Sequence, residues 1–286
     1  MLRKSLLAMA LAVIAGSTAL ADSFVFTAIP DEDETRLKQR FDKVADYLAA
    51  KLGVEVRYIP VKSYAAAVTA FRNNQVQLAW FGGLSGVHAR RLVKGSEAIA
   101  QGYEDQFFTT YFIANAATGI AESKDFPKAI AGRTFTFGSK GSTSGRLMPE
   151  FHIRKQFGKS PDDVFSRVGF SGDHSRTLAL VQSGAYEVGA LNYKVFENEK
   201  KAGKVDPAKV RITWTTPAYP DYQWSIRGDV EATFGAGFKA KVRQALLGMK
   251  DKMLLDAFPR KSFVAASNGD YAPILDTAKS IGLIDD

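Results

Sequence analysis

Residues 138–145 read GSKGSTSG, so Ser142, Thr143 and Ser144 stand in a row between glycines, directly after the apolar run Thr134–Phe137 and directly before a helical stretch. Glycines let backbone approach a ligand closely, three hydroxyls donate, and the unbonded amides of a helix's first turn point the same way. That composition suits an oxyanion. One serine suffices to cap a helix, worth ~1 kcal/mol, whereas three successive hydroxyls leave donors over for a guest. Each hydrogen bond to a charged group contributes about 1.5 to 3 kcal/mol. Four or five of them would hold a small tetrahedral anion at micromolar affinity or better after the costs of association.

A second strand-turn-helix junction, FSGDHSR (Phe170–Arg176), puts His174 in a first helical turn, where neutral imidazole donates to an anion and Asp173 serves as N-cap. A third group comprises Tyr64 beside Ser63 at a helix start, the stretch WFGGLSG (Trp80–Gly86), and Tyr111. Ligands of open α/β sheets gather outside the carboxyl ends of strands, which is where Phe81 and the Gly82-Gly83 pair fall; aromatic walls there suit a closing pocket. His88 and His152 sit inside helical stretches and read as structural.

Other chemistries are excluded. The chain has no cysteine, which removes thiolate metal sites, iron-sulfur clusters, cysteine nucleophiles and lipid attachment to a leading cysteine. There is no Walker A sequence, HExxH, S-x-x-K or G-x-S-x-G. GAGFKA (Gly235–Ala240) matches the loosest dinucleotide fingerprint but is followed by no βαβ unit. The formal charge of +8, two units of it from Arg3 and Lys4, is scattered without an aromatic-interleaved stripe, so nucleic acid is not a partner. Ser144 with His174 leaves an exported serine esterase or phosphatase as an alternative, weakened because Asp173 adjoins His174 in sequence and is badly placed to orient its ring.

The elements that must hold these groups follow an α/β grammar over 286 residues, enough for about two domain-sized units. Residues 1–21 have a basic start, an apolar run and the small-residue ending Ala19-Leu20-Ala21, which reads as a cleaved secretory signal. From Phe24 onward short apolar strands alternate with amphipathic helices, as in Leu37, Phe41, Val44 and Leu48 of the first one, implying largely parallel sheets. The acidic run Asp31–Glu34 reads as a helix cap. The same grammar restarts near residue 120. The closing helices, 238–249 and 270–281, have no strands of their own and return to the first unit. The chain then crosses twice, near 110–118 and 205–222, giving lobe 1 (22–112 and 218–286) and lobe 2 (113–217) on a two-stranded hinge.

The ordered combination FTAIPDEDE, VKSYAAAVTAFRNNQVQLAWFGG, GSKGSTSGRLMP, FSGDHSRTLALVQSGAYEVGAL and FPRKSFVAASNGDYAPI resembles the phosphate, phosphite and phosphonate family of ABC-transporter substrate-binding proteins. Within it the chain is similar to a subgroup described as binders of selenate or related oxyanions. The resemblance covers nearly the whole mature chain. It implies a type II periplasmic-binding-protein fold, two lobes closing over a ligand, and delivery to a membrane permease and ATPase, with no catalysis and no cofactor. By position it puts the oxyanion donors on Ser142, Thr143 and Ser144, the histidine on His174, the first-lobe tyrosine on Tyr64 and a second aromatic on Tyr111. Where family members that take an aminoalkyl substrate hold an acid, this chain has Asn192 or Tyr193, so an ammonium loses its partner. The expectation is a monomeric, unanchored periplasmic receptor for an inorganic oxyanion or an unaminated phosphonate, with sensing for a membrane receptor as the competing role. Phosphorus oxyanions can carry an O–H that needs an acceptor, whereas sulfate and selenate cannot; a carboxylate in the pocket would favour the former. Asp173 is the candidate for it.

Overall fold

Phe24–Ala28 (β1) buries all five of its residues, the signature of a strand covered on both faces. In the computed structural model, which describes residues 23–285, the expected leader at 1–21 lies outside the described residues. The helix after β1, Glu34–Leu52 (α1), starts where Asp33 Oδ1 accepts the Arg36 amide at 3.0 Å and ends at left-handed Gly53, φ 70°. Its buried stripe of Leu37, Phe41, Val44, Leu48 and Leu52 contributes about 1.5 to 3 kcal/mol per side chain relative to exposure. Val56–Tyr58 (β2), Tyr64–Arg72 (α2), Leu78–Phe81 (β3), Gly83–Leu92 (α3) and Glu97–Gly102 (β4) complete the first run.

The second unit comprises Thr110–Asn115 (β5), Thr134–Phe137 (β6), Met148–Phe157 (α4), Pro161–Val164 (α5), Arg167–Phe170 (β7), His174–Gln182 (α6), Val188–Asn192 (β8), Tyr193–Lys201 (α7) and Val210–Thr215 (β9). The chain then returns through Gln223–Ile226 (β10), Val230–Phe234 (α8), Phe238–Leu247 (α9), Lys252–Ala257 (α10), Phe263–Ala265 (β11) and Ala272–Ser280 (α11). One sheet has the order β11-β4-β10-β3-β1-β2, the other β7-β6-β8-β5-β9. Two α/β lobes result.

Three expectations change. Both sheets are mixed: β1 pairs in parallel with β2 and β3, and β6 with β7 and β8, but β10, β11 and β5 run antiparallel to their neighbours. The reason is topological, since β5 and β10 each follow a crossing and enter their sheets from the opposite end. The closing segment does carry a strand, β11, paired to β4; at three residues it shows no periodicity. The first crossing also falls earlier than 110–118, because β5 lies wholly in the five-stranded sheet between β8 and β9. Alternation along β5 sends Phe112 and Ala114 into the core with Phe135 and Trp214, and Ile113 into the core with Leu178, Val181 and Leu191. Between the sheets the two crossings are tied by Phe108 and Tyr219, which exchange both backbone bonds at 2.9 and 3.0 Å.

Candidate functional site

The serine-rich segment does not enter its helix directly. Thr143–Leu147 is a π-turn in which the Leu147 amide donates to Ser142 O at 3.0 Å, before α4 begins. Ser142 Oγ caps it by accepting the Gly145 amide at 2.9 Å. The amides of Thr143 and Ser144 therefore lie ahead of the first intrahelical bond. A side chain at Gly145 would stand 2.9 Å from His174 Cε1 and 3.1 Å from Gly138 Cα, so two glycines are what allow the turn to fold against β6 and the histidine.

His174 opens α6 and is fully buried. Its Nδ1 accepts the Asn192 amide at 3.3 Å, which leaves the proton on Nε2, 3.4 Å from Ser144 Oγ. Burial pulls its pKa down to about 3, so the ring is a neutral donor.

The facing wall comes from the other lobe. Consecutive amides of the first turn of α3 reach across it: Gly83 donates to Asp221 Oδ1 at 2.8 Å and Leu84 to Thr143 Oγ1 at 2.9 Å. Tyr64, set by the Ser63 cap of α2, is buried, and Gly141 of the serine-rich loop presses on it, a Cβ there falling 3.2 Å from Tyr64 Cβ. The His174 amide donates to Asp31 O at 2.9 Å, and the Tyr222 hydroxyl donates to Asp31 Oδ2 at 2.8 Å while accepting from Asn192 Nδ2 at 2.9 Å. The lobes are in direct contact. Burial raises Asp221 to about 7; burial and the neighbouring Glu32 raise Asp31 to about 6. Among the described residues Tyr64 Oη, Asp221 Oδ2 and Asp31 Oδ1 are buried with no hydrogen-bond partner.

Of the groups expected from sequence, Ser142, Thr143, Ser144, His174 and Tyr64 are brought together, each no more than 2% exposed. Asn192 borders them, but its side chain is occupied: Oδ1 accepts from Lys194 and Val195 as the cap of α7, and Nδ2 holds Tyr222. Phe81 instead turns its ring into the lobe 1 core against Phe71, because the next residue on a strand faces the other way from Trp80, which stacks on Tyr222. Tyr111 points to the α7 side, bonding Glu197 at 3.3 Å and packing on Phe196; its neighbour Thr110 is the one that reaches the turn, donating to Ser144 O at 3.0 Å. Asp173 is an outward cap, accepting the Arg176 amide at 2.7 Å. The carboxylate beside the hydroxyls is Asp221, in the segment PAYPDYQW that reads as a mere hinge. An acid between prolines and aromatics just before a strand was the available signal.

Chemically, the site offers hydroxyls, a neutral imidazole and helix-start amides as uncharged donors, with the buried carboxylate of Asp221 as acceptor beside the hydroxyls and a second buried carboxylate, Asp31, bonded to Tyr222. Among the described residues no cluster of three His, Cys, Asp or Glu side chains could hold a metal ion, and no helix is long and apolar enough to cross a membrane.

The family model described as "ABC transporter, phosphonate, periplasmic substrate-binding protein" matches residues 26–271. The chain is 39% identical over 265 residues to the probable ABC transporter phosphite binding protein PhnD1 of Prochlorococcus marinus (strain MIT 9301), covering 90% of this chain and 89% of that one. The structure of that protein in complex with methylphosphonate superposes with a TM-score of 0.87 over 92% of this chain and 99% of that chain. The phosphonates-binding periplasmic protein of Escherichia coli (strain K12) is 25% identical over 198 residues, 68% of this chain and 58% of that one.

Proposed function

The chain belongs to the phosphonate family of periplasmic substrate-binding proteins of ABC transporters, and on that premise we propose that it captures a singly protonated phosphorus oxyanion, phosphite or a small unaminated phosphonate, between its lobes. Ser142, Thr143, Ser144, His174 and Tyr64 donate to the unprotonated oxygens, and Asp221 accepts the ligand's O–H. Asp221 carries the reading: a buried carboxylate, already holding the Gly83 amide, with a second oxygen free. A fully ionised tetrahedral dianion brings no proton of its own, so once Asp221 ionises, near pH 7, repulsion in low dielectric selects against sulfate and selenate. The monomeric receptor, exported on the segment 1–21, hands its ligand to the inner-membrane permease and ATPase.

Binding without turnover is supported by the histidine. Hydrolysis by Ser144 needs a base at Nε2, oriented by a carboxylate at Nδ1. Here Nδ1 faces the Asn192 amide and burial keeps the ring neutral. Titration calorimetry with phosphite, methylphosphonate, phosphate, 2-aminoethylphosphonate, sulfate and selenate tests the proposal. Phosphite or methylphosphonate should bind at micromolar affinity or tighter, and sulfate and selenate much more weakly; selenate or sulfate binding as tightly as phosphite rejects it.

A further inference from the structure

The acidic run Asp31–Glu34 is more than a cap. Asp33 caps α1 and exposed Glu34 meets Lys62 at 2.7 Å, but Glu32 is buried and paired with Arg40, with Arg36 at 3.8 Å. Arg36 then reaches out of lobe 1 to Glu199 on α7 of lobe 2. Glu199 has a side chain only 4% exposed; its Oε1 also accepts from Ser175 Oγ at 2.8 Å, and Lys204 lies 3.6 Å from Oε2. Ser175 adjoins His174, whose amide is the one held by Asp31 O at 2.9 Å. Two successive residues of the first turn of α6 are thus gripped through the segment 31–36, next to the cradle.

From this geometry we infer that Arg36 and Glu199 form a clasp that sets ligand affinity through lobe closure and the placement of His174, without touching ligand; the inference rests on the binding reading above. Separation of the lobes takes Arg36 from Glu199, and each keeps partners of its own lobe: Arg36 has Glu32, and Glu199 has Ser175 and Lys204. Closure removes Glu199 from water, and Arg36 supplies the direct cross-lobe charge that offsets this. An exposed ion pair contributes almost nothing. This one differs because its carboxylate is buried, so losing Arg36 leaves an under-paired charge in the closed form alone. Apparent affinity is intrinsic affinity scaled by the closed fraction, so the clasp acts on every ligand alike.

The test compares wild type, Arg36→Met, Glu199→Gln and the double variant by calorimetry and stopped-flow binding, with phosphite and methylphosphonate as probes. Each single variant should weaken both ligands by the same factor, about 5- to 30-fold, through faster dissociation. The double variant should be no worse than the weaker single, and unliganded melting temperatures should stay at the wild-type value. A purely structural role would lower those temperatures and would not act equally on the two ligands. Affinities within twofold of wild type, losses that add in the double variant, or unequal effects on the two ligands overturn the clasp. A wild-type protein that binds none of the oxyanions overturns the functional reading itself, and the clasp's role in affinity goes with it.

Discussion

In the proposed reading, one proton at Asp221 decides what is bound. Its carboxyl, raised by burial to about 7 from 3.8, keeps in the folded state a proton that an unfolded chain releases. Between those two values the native state therefore binds more protons than the unfolded one, and stability declines as pH rises through that window. A ligand that brings its own proton restores the balance, because the complex holds one proton between ligand oxygen and carboxylate. Affinity for methylphosphonate should rise toward about pH 7, because below it binding must expel the proton that Asp221 carries, and should then fall by up to about tenfold per pH unit once both groups ionise. Calorimetry from roughly pH 5.5 to 8.5 reads this slope, and a flat profile would remove Asp221 from the role. Asp221→Asn should weaken phosphite and methylphosphonate about 10- to 100-fold and relax the exclusion of sulfate. Thr143→Ala loses a proposed ligand donor and also the acceptor of the Leu84 amide; it should cost ~1 to 3 kcal/mol of binding with the fold unchanged by circular dichroism. Equal affinity in that variant would show that the hydroxyl faces no ligand.

The cradle is an outcome of how elements meet. β6 and α6 bring Gly138, Gly145 and His174 within van der Waals contact, so Gly145→Ala, whose Cβ would lie 2.9 Å from His174 Cε1 and 3.1 Å from Gly138 Cα, must push the turn away from the imidazole. Binding should drop at least about tenfold with helix and strand content intact; wild-type affinity would mean that the turn and histidine act separately. The serine-rich turn and His174 were legible in sequence because each is a local event, a strand ending in glycine and polar cap residues. So was α1, from its stripe and its caps. Of the lobe 1 half Tyr64 was legible, from the cap that sets it, but Asp221 was not, since it stands in a proline-flanked crossing where hydrophobic periodicity says nothing and becomes a site residue only because α3 aims two amides at it and Thr143. Phe81 misled for the converse reason: its place at a strand's carboxyl end was right, but the period of two sends its ring into the core. Tyr111 and Thr110 repeat that one-residue lesson.

At the scale of the whole chain, the two halves of the site belong to different lobes, and the connection between the lobes is slender. Phe108 and Tyr219 pair the crossing strands, and the Tyr219 hydroxyl lies 2.6 Å from Thr110 Oγ1, whose donation to Ser144 O ties the hinge to the cradle. Neither lobe alone presents the full set of donors together with Asp221, so tight binding and closure must be one event. The closed arrangement encloses Tyr64, Asp221 and Asp31 with polar atoms unpartnered, a desolvation cost that ligand offsets and water relieves in the open form. Without ligand the open form should therefore dominate. Small-angle scattering should show the radius of gyration falling on addition of methylphosphonate, and melting temperature should rise by about 5 to 10 °C at a hundredfold excess over Kd. Thr143→Ala should need proportionally more ligand to reach the same compact form, because the substitution weakens the contact that stabilises closure and leaves the hinge itself untouched. If calorimetry registers binding while the radius stays constant, the lobes are already shut without ligand, and the coupling of recognition to closure is wrong.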